Sequence, residues 1–230
     1  MLHAPGERLA RHRHDHGFAA VVLSGGYVEA GDTGRHRVAA GDVILHQAFE
    51  SHLDQFDRRG AQVLVLPLPS GLGGTTRGRV ADPDLIARLT AIDARMAAEA
   101  LAEGFEPAAA WPTNPEDWPD ALAQELLADP DLSIHRWARA EDLHPGSVSR
   151  GFQQQFGVTA AAFRATVRAR RALAALDDPA LSLAQVAGDC GFADQAHMTR
   201  AILRLTGSTP RRLRRTATEL CPDPAWLARR

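Results

Sequence analysis

A unit of about 50 residues stands twice in the C-terminal part of this chain, and a duplicated supersecondary element of that size limits the fold more than any other feature. Leu132-Ser133-Ile134, Trp137-Ala138 and Leu143 recur as Leu181-Ser182-Leu183, Val186-Ala187 and Phe192, 49 residues later (132 to 181). Ser149-Arg150, Phe152, Gly157, Thr159 and Phe163-Arg164 recur as Thr199-Arg200, Ile202, Gly207, Thr209 and Leu213-Arg214, 50 residues later (149 to 199). Each copy reads as a serine-capped helix, a tight turn and a second helix. Ser182 is placed to cap its helix, with Gln185 three residues on completing a capping box, and Gly191 fits a left-handed turn. The next helix, from Asp194 to about Leu205, stops at Gly207, and Pro210 falls in the first turn of a short arginine-rich helix. Asp142 stands where the second copy has Gly191; Asp tolerates the left-handed region less well than Gly, so slight strain is expected in the first copy.

Charge divides the chain along the same line. Residues 133–230 hold 15 Arg against 8 Asp plus Glu, and residues 1–132 hold 11 Arg against 20, so a net charge of −2 conceals +7 and −9. All 26 basic residues are arginine, and a guanidinium grips phosphate or guanine with two parallel hydrogen bonds. With 45% hydrophobic and 23% charged residues, a disordered or fibrous chain is excluded. The longest apolar runs, Phe18 to Leu23 and Val63 to Leu68, are far short of the roughly 20 residues of a membrane helix. The N-terminus lacks the apolar stretch of a secretory signal, and a cytoplasmic location is expected. Cys190 and Cys221 make neither a disulfide framework nor a paired-cysteine metal spacing.

The spacing in each copy is that of a helix-turn-helix, which lays its second helix in the DNA major groove with residues near the helix start against base edges. The candidate readers are therefore Ser149, Arg150, Gln195, Ala196, Thr199 and Arg200. Arg can take guanine, Gln adenine, and an Ala or Thr methyl the thymine methyl. Arg164, Arg168, Arg170, Arg171, Arg211, Arg212, Arg214 and Arg215 are the candidate phosphate contacts. A plain helical bundle with a solvated basic face is the blander reading; the paired Ser/Thr-Arg positions in a duplicated unit weigh against it. Ala187 through Gly191-Phe192, then Asp194-Gln195, Thr199-Arg200, Gly207, Thr209-Pro210 and Leu213-Arg214, resemble the signature of AraC-type transcription regulators. The resemblance covers about 100 residues, near Pro119 to Arg215, and is fuller in the second copy. It implies a long joining helix, here Thr159 to Leu176, that sets two recognition helices into successive major grooves. Asp142 for the usual glycine and Ile202 for a usual aromatic depart from the pattern.

The N-terminal half reads as β. Ala19 to Leu23, Val38, Val43 to Leu45 and Val63 to Leu66 are short apolar runs, with Gly31-Asp32 and Gly41-Asp42 as turn signals, which suggests a sandwich or barrel. Asp82-Pro83 then opens a helix whose Leu85, Leu89, Ile92 and Met96 form a stripe expected to pack on the barrel or on a partner. Gly104 to Pro119, with its prolines, reads as a linker. The pattern Gly6-x5-His12-x-His14-x3-Phe18-x6-Gly25 resembles the first cupin motif, with Phe18 in place of a glutamate. Gly41-x5-Gln47-x-Phe49-x2-His52 resembles the second but lacks its proline, second glycine and final asparagine. The resemblance implies a barrel in which His12, His14 and His52 converge, suited to zinc, iron, nickel or copper, or to hydrogen bonding in a small-molecule pocket. Phe18 and His46 are candidate ligand-binding residues, and His16 is expected exposed or pocket-lining.

The expected fold class is α+β: a cupin-like β-barrel sensor and dimerisation domain at 1–106, a linker at 107–118, and an all-α double helix-turn-helix domain at 119–230. The expected function is a transcription regulator that binds double-stranded DNA as a possible homodimer, with a small-molecule or metal effector and no membrane association. The rival is a metal-dependent cupin enzyme of oxygenase type with a structural helical domain. A DNA-binding protein whose barrel only dimerises is a third option that the residues leave open.

Overall fold

The computed structural model describes residues 1–72, 76–108 and 117–219, with side chains to residue 215; Cys221 and most of the expected linker lie outside the described residues. The N-terminal strands form one eight-stranded antiparallel sheet, which with the helices beyond gives the expected α+β class. They are β1 (Leu2–His3), β2 (Arg8–Arg13), β3 (Phe18–Gly31), β4 (Gly34–Ala39), β5 (Asp42–His46), β6 (Ser51–Pro67), β7 (Arg77–Val80) and β8 (Phe105–Pro107). Two long strands organise it. The first half of β3 pairs with β5 and the end of β6, its second half with β4 and the start of β6. Register shifts at Val22/Ser24 and Gly25/Tyr27 bend the pair, so that the sheet wraps over its own concave face.

Alternation sorts the side chains of this sheet. Ala20, Val22, Tyr27, Ile44, Phe56 and Val63 make one buried cluster, inside the wrap. Ala19, Val21, Val43, Leu45 and Leu66 point the other way, into a second cluster closed by two helices. These are α1 (Pro83–Thr90), capped by Asp82, and α2 (Ala94–Gly104), capped by Asp93. The expected single stripe is corrected here. Asp93 restarts the helix, which changes its phase, and the residues that seal the sheet are Ile86, Ala97 and Leu101. Leu89 packs against that cluster, but Leu85, Ile92 and Met96 are exposed at 40%, 75% and 47%.

The C-terminal helices are α3 (Trp118–Ala128), α4 (Ile134–Ala140), α5 (Pro145–Phe156), α6 (Ala160–Ala175), α7 (Leu183–Asp189), α8 (Gln195–Thr206) and α9 (Pro210–Glu219). The two copies are the pairs α4–α5 and α7–α8, joined by α6, whose N-cap is Thr159 and C-cap Leu176. Ser182 and Gln185 form the full capping box. Gly157 and Gly207 end α5 and α8 in the left-handed conformation, at φ 72° and 71°. Asp142 takes φ 53° where Gly191 takes 72°. Phe49 is left-handed as well, at 65°, and it stands where the second cupin motif carries its second glycine. Among the described residues no helix is long and apolar enough to cross a membrane.

The sheet and the first unit share a core. Ala30 and Leu53 are buried in one cluster with Leu122 and Leu126 of α3, Trp137 of α4 and Phe152 and Phe156 of α5. Phe152, Phe156 and Phe163 stack or meet edge to face with centroids 4.4 to 5.5 Å apart. Around this core Arg35 donates to both carboxylate oxygens of Asp120 at 2.8 and 2.7 Å, to Gln155 at 2.8 Å and to Asp117 at 3.0 Å. The second unit has its own core of Val186, Phe192, Met198 and Ile202 against Ala172 and Leu176 of α6.

Candidate functional sites: a histidine pocket and two reading helices

The pocket inside the wrap has a volume of about 370 Å³, and His12, His14, His46, His52 and Phe18 all line it. Strand pairing brings them together. His12 lies directly opposite His52 across β2 and β6, and Phe18 opposite His46 across β3 and β5. β2 ends at Arg13, so His14 is held in the following turn, its backbone N–H donating to Glu50 O and its carbonyl accepting from Phe49 N. The ring centroids of His12 and His52 are 4.3 Å apart, those of His14 and His52 5.4 Å, and those of His46 and His52 4.5 Å. Phe18 stacks on His46 at 4.4 Å. His16 lines the rim and is exposed.

His12, His14 and His52 do offer ligand atoms within 4.8 Å of one another, as the cupin resemblance implied, and the first two are half-buried. A second group meets the same criterion: Glu29, His46 and His52, all buried. The cupin motif spacing does not select Glu29. It lies 11 residues beyond Phe18 (29 − 18) on the same strand, past the two register shifts, where the concave face resumes with Tyr27 and Glu29 opposite Phe56 and Asp54. The signal that finds it is the alternation Tyr27-x-Glu29 after a glycine pair.

Charge follows this geometry. Burial alone would depress the His46 imidazole, but the carboxylates of Glu29 and Glu50 outweigh burial and raise it to about 9. His14 is lowered, by burial first and then by the neighbouring imidazoles of His52, His12 and His46. His52 Nδ1 lies 3.0 Å from Asp54 Oδ1, and Glu50 Oε1 accepts from Arg170 of α6 at 2.6 Å. Glu50, which stands behind the pocket residue His46, is therefore hydrogen-bonded to the helix that joins the two units.

Other arginines make the same crossing. From β2, Arg8 donates to Gln154 O at 3.2 Å, Arg11 to Phe156 O at 3.0 Å and Arg13 to Arg204 O at 3.0 Å. These are carbonyls of the last turns of α5 and α8, the end of a helix where positive charge is favoured. Arg11 also pairs with the buried Asp32.

On the helices, Ser149 and Arg150 occupy the second turn of α5 and are exposed, as are Gln195, Ala196 and Arg200 of α8, while Thr199 is half-buried. Their buried counterparts Val148, Phe152, Met198 and Ile202 fix which face is outward. The expected phosphate contacts separate into two groups. Arg164 donates to Leu132 O, Arg171 to Leu127 O and Ala128 O, and Arg214 to Leu176 O and Asp178 O; Arg168 pairs with Asp131 and Arg170 with Glu50. Arg164, Arg168, Arg171 and Arg214 brace helices and loops of the C-terminal part against one another, and Arg170 ties α6 to the sheet. Arg211, Arg212 and Arg215 of α9 are exposed.

Residues 137–216 match the helix-turn-helix domain family. Both pairs, α4–α5 and α7–α8, fall within or overlap this helix-turn-helix match. The arabinose operon regulatory protein of Escherichia coli (strain K12) is 30% identical over 99 residues, covering 43% of this chain and 34% of that one. The chain thus spans about a third of the length of this curated relative. The C-terminal domain of AraT, a response regulator of Geobacillus stearothermophilus, is similar over 45% of this chain and 88% of its own, with 21% identity and a TM-score of 0.41. An oxalate decarboxylase of Bacillus subtilis is similar over 28% of this chain and 19% of its own, with 21% identity and a TM-score of 0.27.

Proposed function

We propose that this chain is a sequence-specific DNA-binding transcription regulator of AraC type, controlled by a small molecule or metal ion held in the N-terminal barrel. The observation that carries the reading is the duplicated unit within the family match: two second helices, each with its apolar face buried and a Ser/Thr-Arg pair on the same turn. Arg150 and Arg200 read guanine, Gln195 adenine, and Ala196 and Thr199 thymine methyls, with Ser149 beside them; α9 supplies Arg211 and Arg212 to phosphate. Arg164 and Arg214 serve this interface indirectly, by holding the units to α6.

In this reading residues 1–106 sense and dimerise, 107–118 connect and 119–230 bind DNA in the cytoplasm. Leu85, Ile92 and Met96 are the apolar face available to a second copy. Pocket imidazoles suit zinc, iron or nickel, or hydrogen bonding to an organic effector lodged beside Phe18 and His46. The arginines of β2 and the Glu50–Arg170 pair give an occupant of the pocket a material path to α5, α6 and α8. The helix-turn-helix match favours this over a cupin enzyme, whose chemistry has no use for paired reading helices.

Selection from random duplex DNA by the full-length protein, followed by a salt titration, tests it. A consensus with two half-motifs about one helical turn apart is expected, with affinity falling steeply as salt rises. Equal recovery of all sequences at moderate salt would remove the regulator reading.

A further inference from the structure

We propose that the divalent-metal site of this barrel is the buried triad Glu29, His46 and His52, set inward of the His12–His14–His52 group that the motif spacing selects. The two sets share His52, so one ion occupies one or the other. Three observations favour the inner set. All its members are buried, at 1%, 3% and 6% exposure, whereas His12 and His14 are half-buried. Glu29 Oε2, His46 Nε2 and His52 Nε2 are buried and make no hydrogen bond, and Glu29 Oε2 sits between the two imidazoles, 3.4 Å from His46 Nε2 and 3.6 Å from His52 Nδ1, a spacing that an ion between them would satisfy more fully. Each imidazole also has its other nitrogen backed by a carboxylate: His52 Nδ1 is 3.0 Å from Asp54 Oδ1, and His46 Nδ1 is 3.7 Å from Glu50 Oε2. A carboxylate behind Nδ1 fixes the tautomer that presents a bare Nε2 and raises its basicity, the usual arrangement behind a metal-bound histidine.

The chemical class follows from the donors. Two imidazoles, each giving up any proton on its ligating nitrogen when the ion binds, and one carboxylate are a borderline set that takes zinc or a first-row divalent ion and gives little hold on magnesium or calcium. Phe18, stacked on His46, closes the apolar side where a cupin glutamate would stand, and Glu29 restores the missing carboxylate from another part of the same strand. Glu50 adds a consequence. It backs His46 and holds Arg170 of α6, so an ion that draws on His46 draws on the helix between the two reading units. The site stands without the regulator reading; only this last link rests on it.

Cobalt(II) is the probe, added to full-length protein purified without a histidine tag, with binding followed by its visible absorption and by calorimetry. One ion per chain is expected. Glu29→Gln and His46→Gln should each weaken binding on the order of 100-fold, while the His12→Ala/His14→Ala double variant should stay within about threefold, its fold checked by melting. The reverse pattern, or no binding by the wild type, overturns the proposal. Wild-type protein gives an independent reading should a variant fail to fold: paramagnetic NMR of the cobalt form should show two shifted exchangeable imidazole N–H signals, and three would assign the ion to the outer histidines. DNA affinity is measured separately with and without cobalt. Binding at the triad with unchanged DNA affinity would remove the link through Arg170 and keep the site.

Discussion

The two helix-turn-helix units descend from one pattern but live in different surroundings. The first, α4–α5, shares its core with the sheet: Phe152 and Phe156 are buried together with Ala30 and Leu53, and Arg35 ties β4 to Asp120 and Gln155. The second, α7–α8, packs on α6 around Met198 and Ile202, and its tie to the sheet is the bond from Arg13 to Arg204 O. The same local code therefore yields one unit whose stability belongs to the whole protein and one that depends on the joining helix. On the proposed function, a signal from the pocket would reach the first unit through the shared core and the second through α6 and the Arg13–Arg204 bond.

The largest effect should come from cutting each core in turn. Phe152→Ala removes a fully buried ring that touches two others and should cost about 3 to 5 kcal/mol. Ile202→Ala should cost about 2 to 5 kcal/mol. Hydrogen exchange separates them: the first variant should speed exchange in β3 and β6 as well as in the helices, the second in α7 and α8 alone. Identical exchange patterns would erase the distinction between the units.

Next in size is the polar strap. Arg35→Ala leaves the buried Asp120 without its bidentate partner and should destabilise by about 1.5 to 3 kcal/mol. Thermal unfolding should then split into two transitions, with the sheet separating from α3–α5. A single transition at the wild-type temperature would mean that the apolar contacts suffice.

The smallest expected effect lies in the turns. Asp142→Gly relieves a left-handed Asp and should stabilise by about 1 kcal/mol, while Gly191→Asp should cost about 1 to 2 kcal/mol. At position 191 an added Cβ would also come within 2.7 Å of Asp131 Oδ1. Opposite signs in chemical denaturation sharpen the comparison; equal signs would show that the two turns are not equivalent.

The turn pair also shows what was legible in the sequence. The repeat, the caps and the stops are local, and local chemistry placed them: Ser182, Gln185, Asp194, Gly207 and Pro210 all do what their residue types predict. The left-handed backbone persisted at Asp142 and at Phe49, two positions where a motif glycine is missing, and these are the non-glycine residues with positive φ among those described. Non-local features were harder to read. The phase of α2 depends on where Asp93 restarts the chain, so the exposed stripe of Leu85, Ile92 and Met96 could not be told from a buried one. Glu29 reaches His46 and His52 from a part of β3 that lies beyond two register shifts. Arginines at helix ends look alike in sequence, and whether they meet a carbonyl or a phosphate is decided by which helix end lies nearby.

The central claim is that α5 and α8 are two readers of one DNA site. Footprinting of the selected duplex with Arg150→Ala, Arg200→Ala and Arg212→Ala tests it most directly. Arg150→Ala and Arg200→Ala should each lose about 1 to 3 kcal/mol and relax base preference in separate groove segments one helical turn apart, with Arg200 the stronger reader. Arg212→Ala should weaken every sequence alike and leave the preference intact. Equal and sequence-blind losses in all three would contradict the assignment of α5 and α8 as the reading helices.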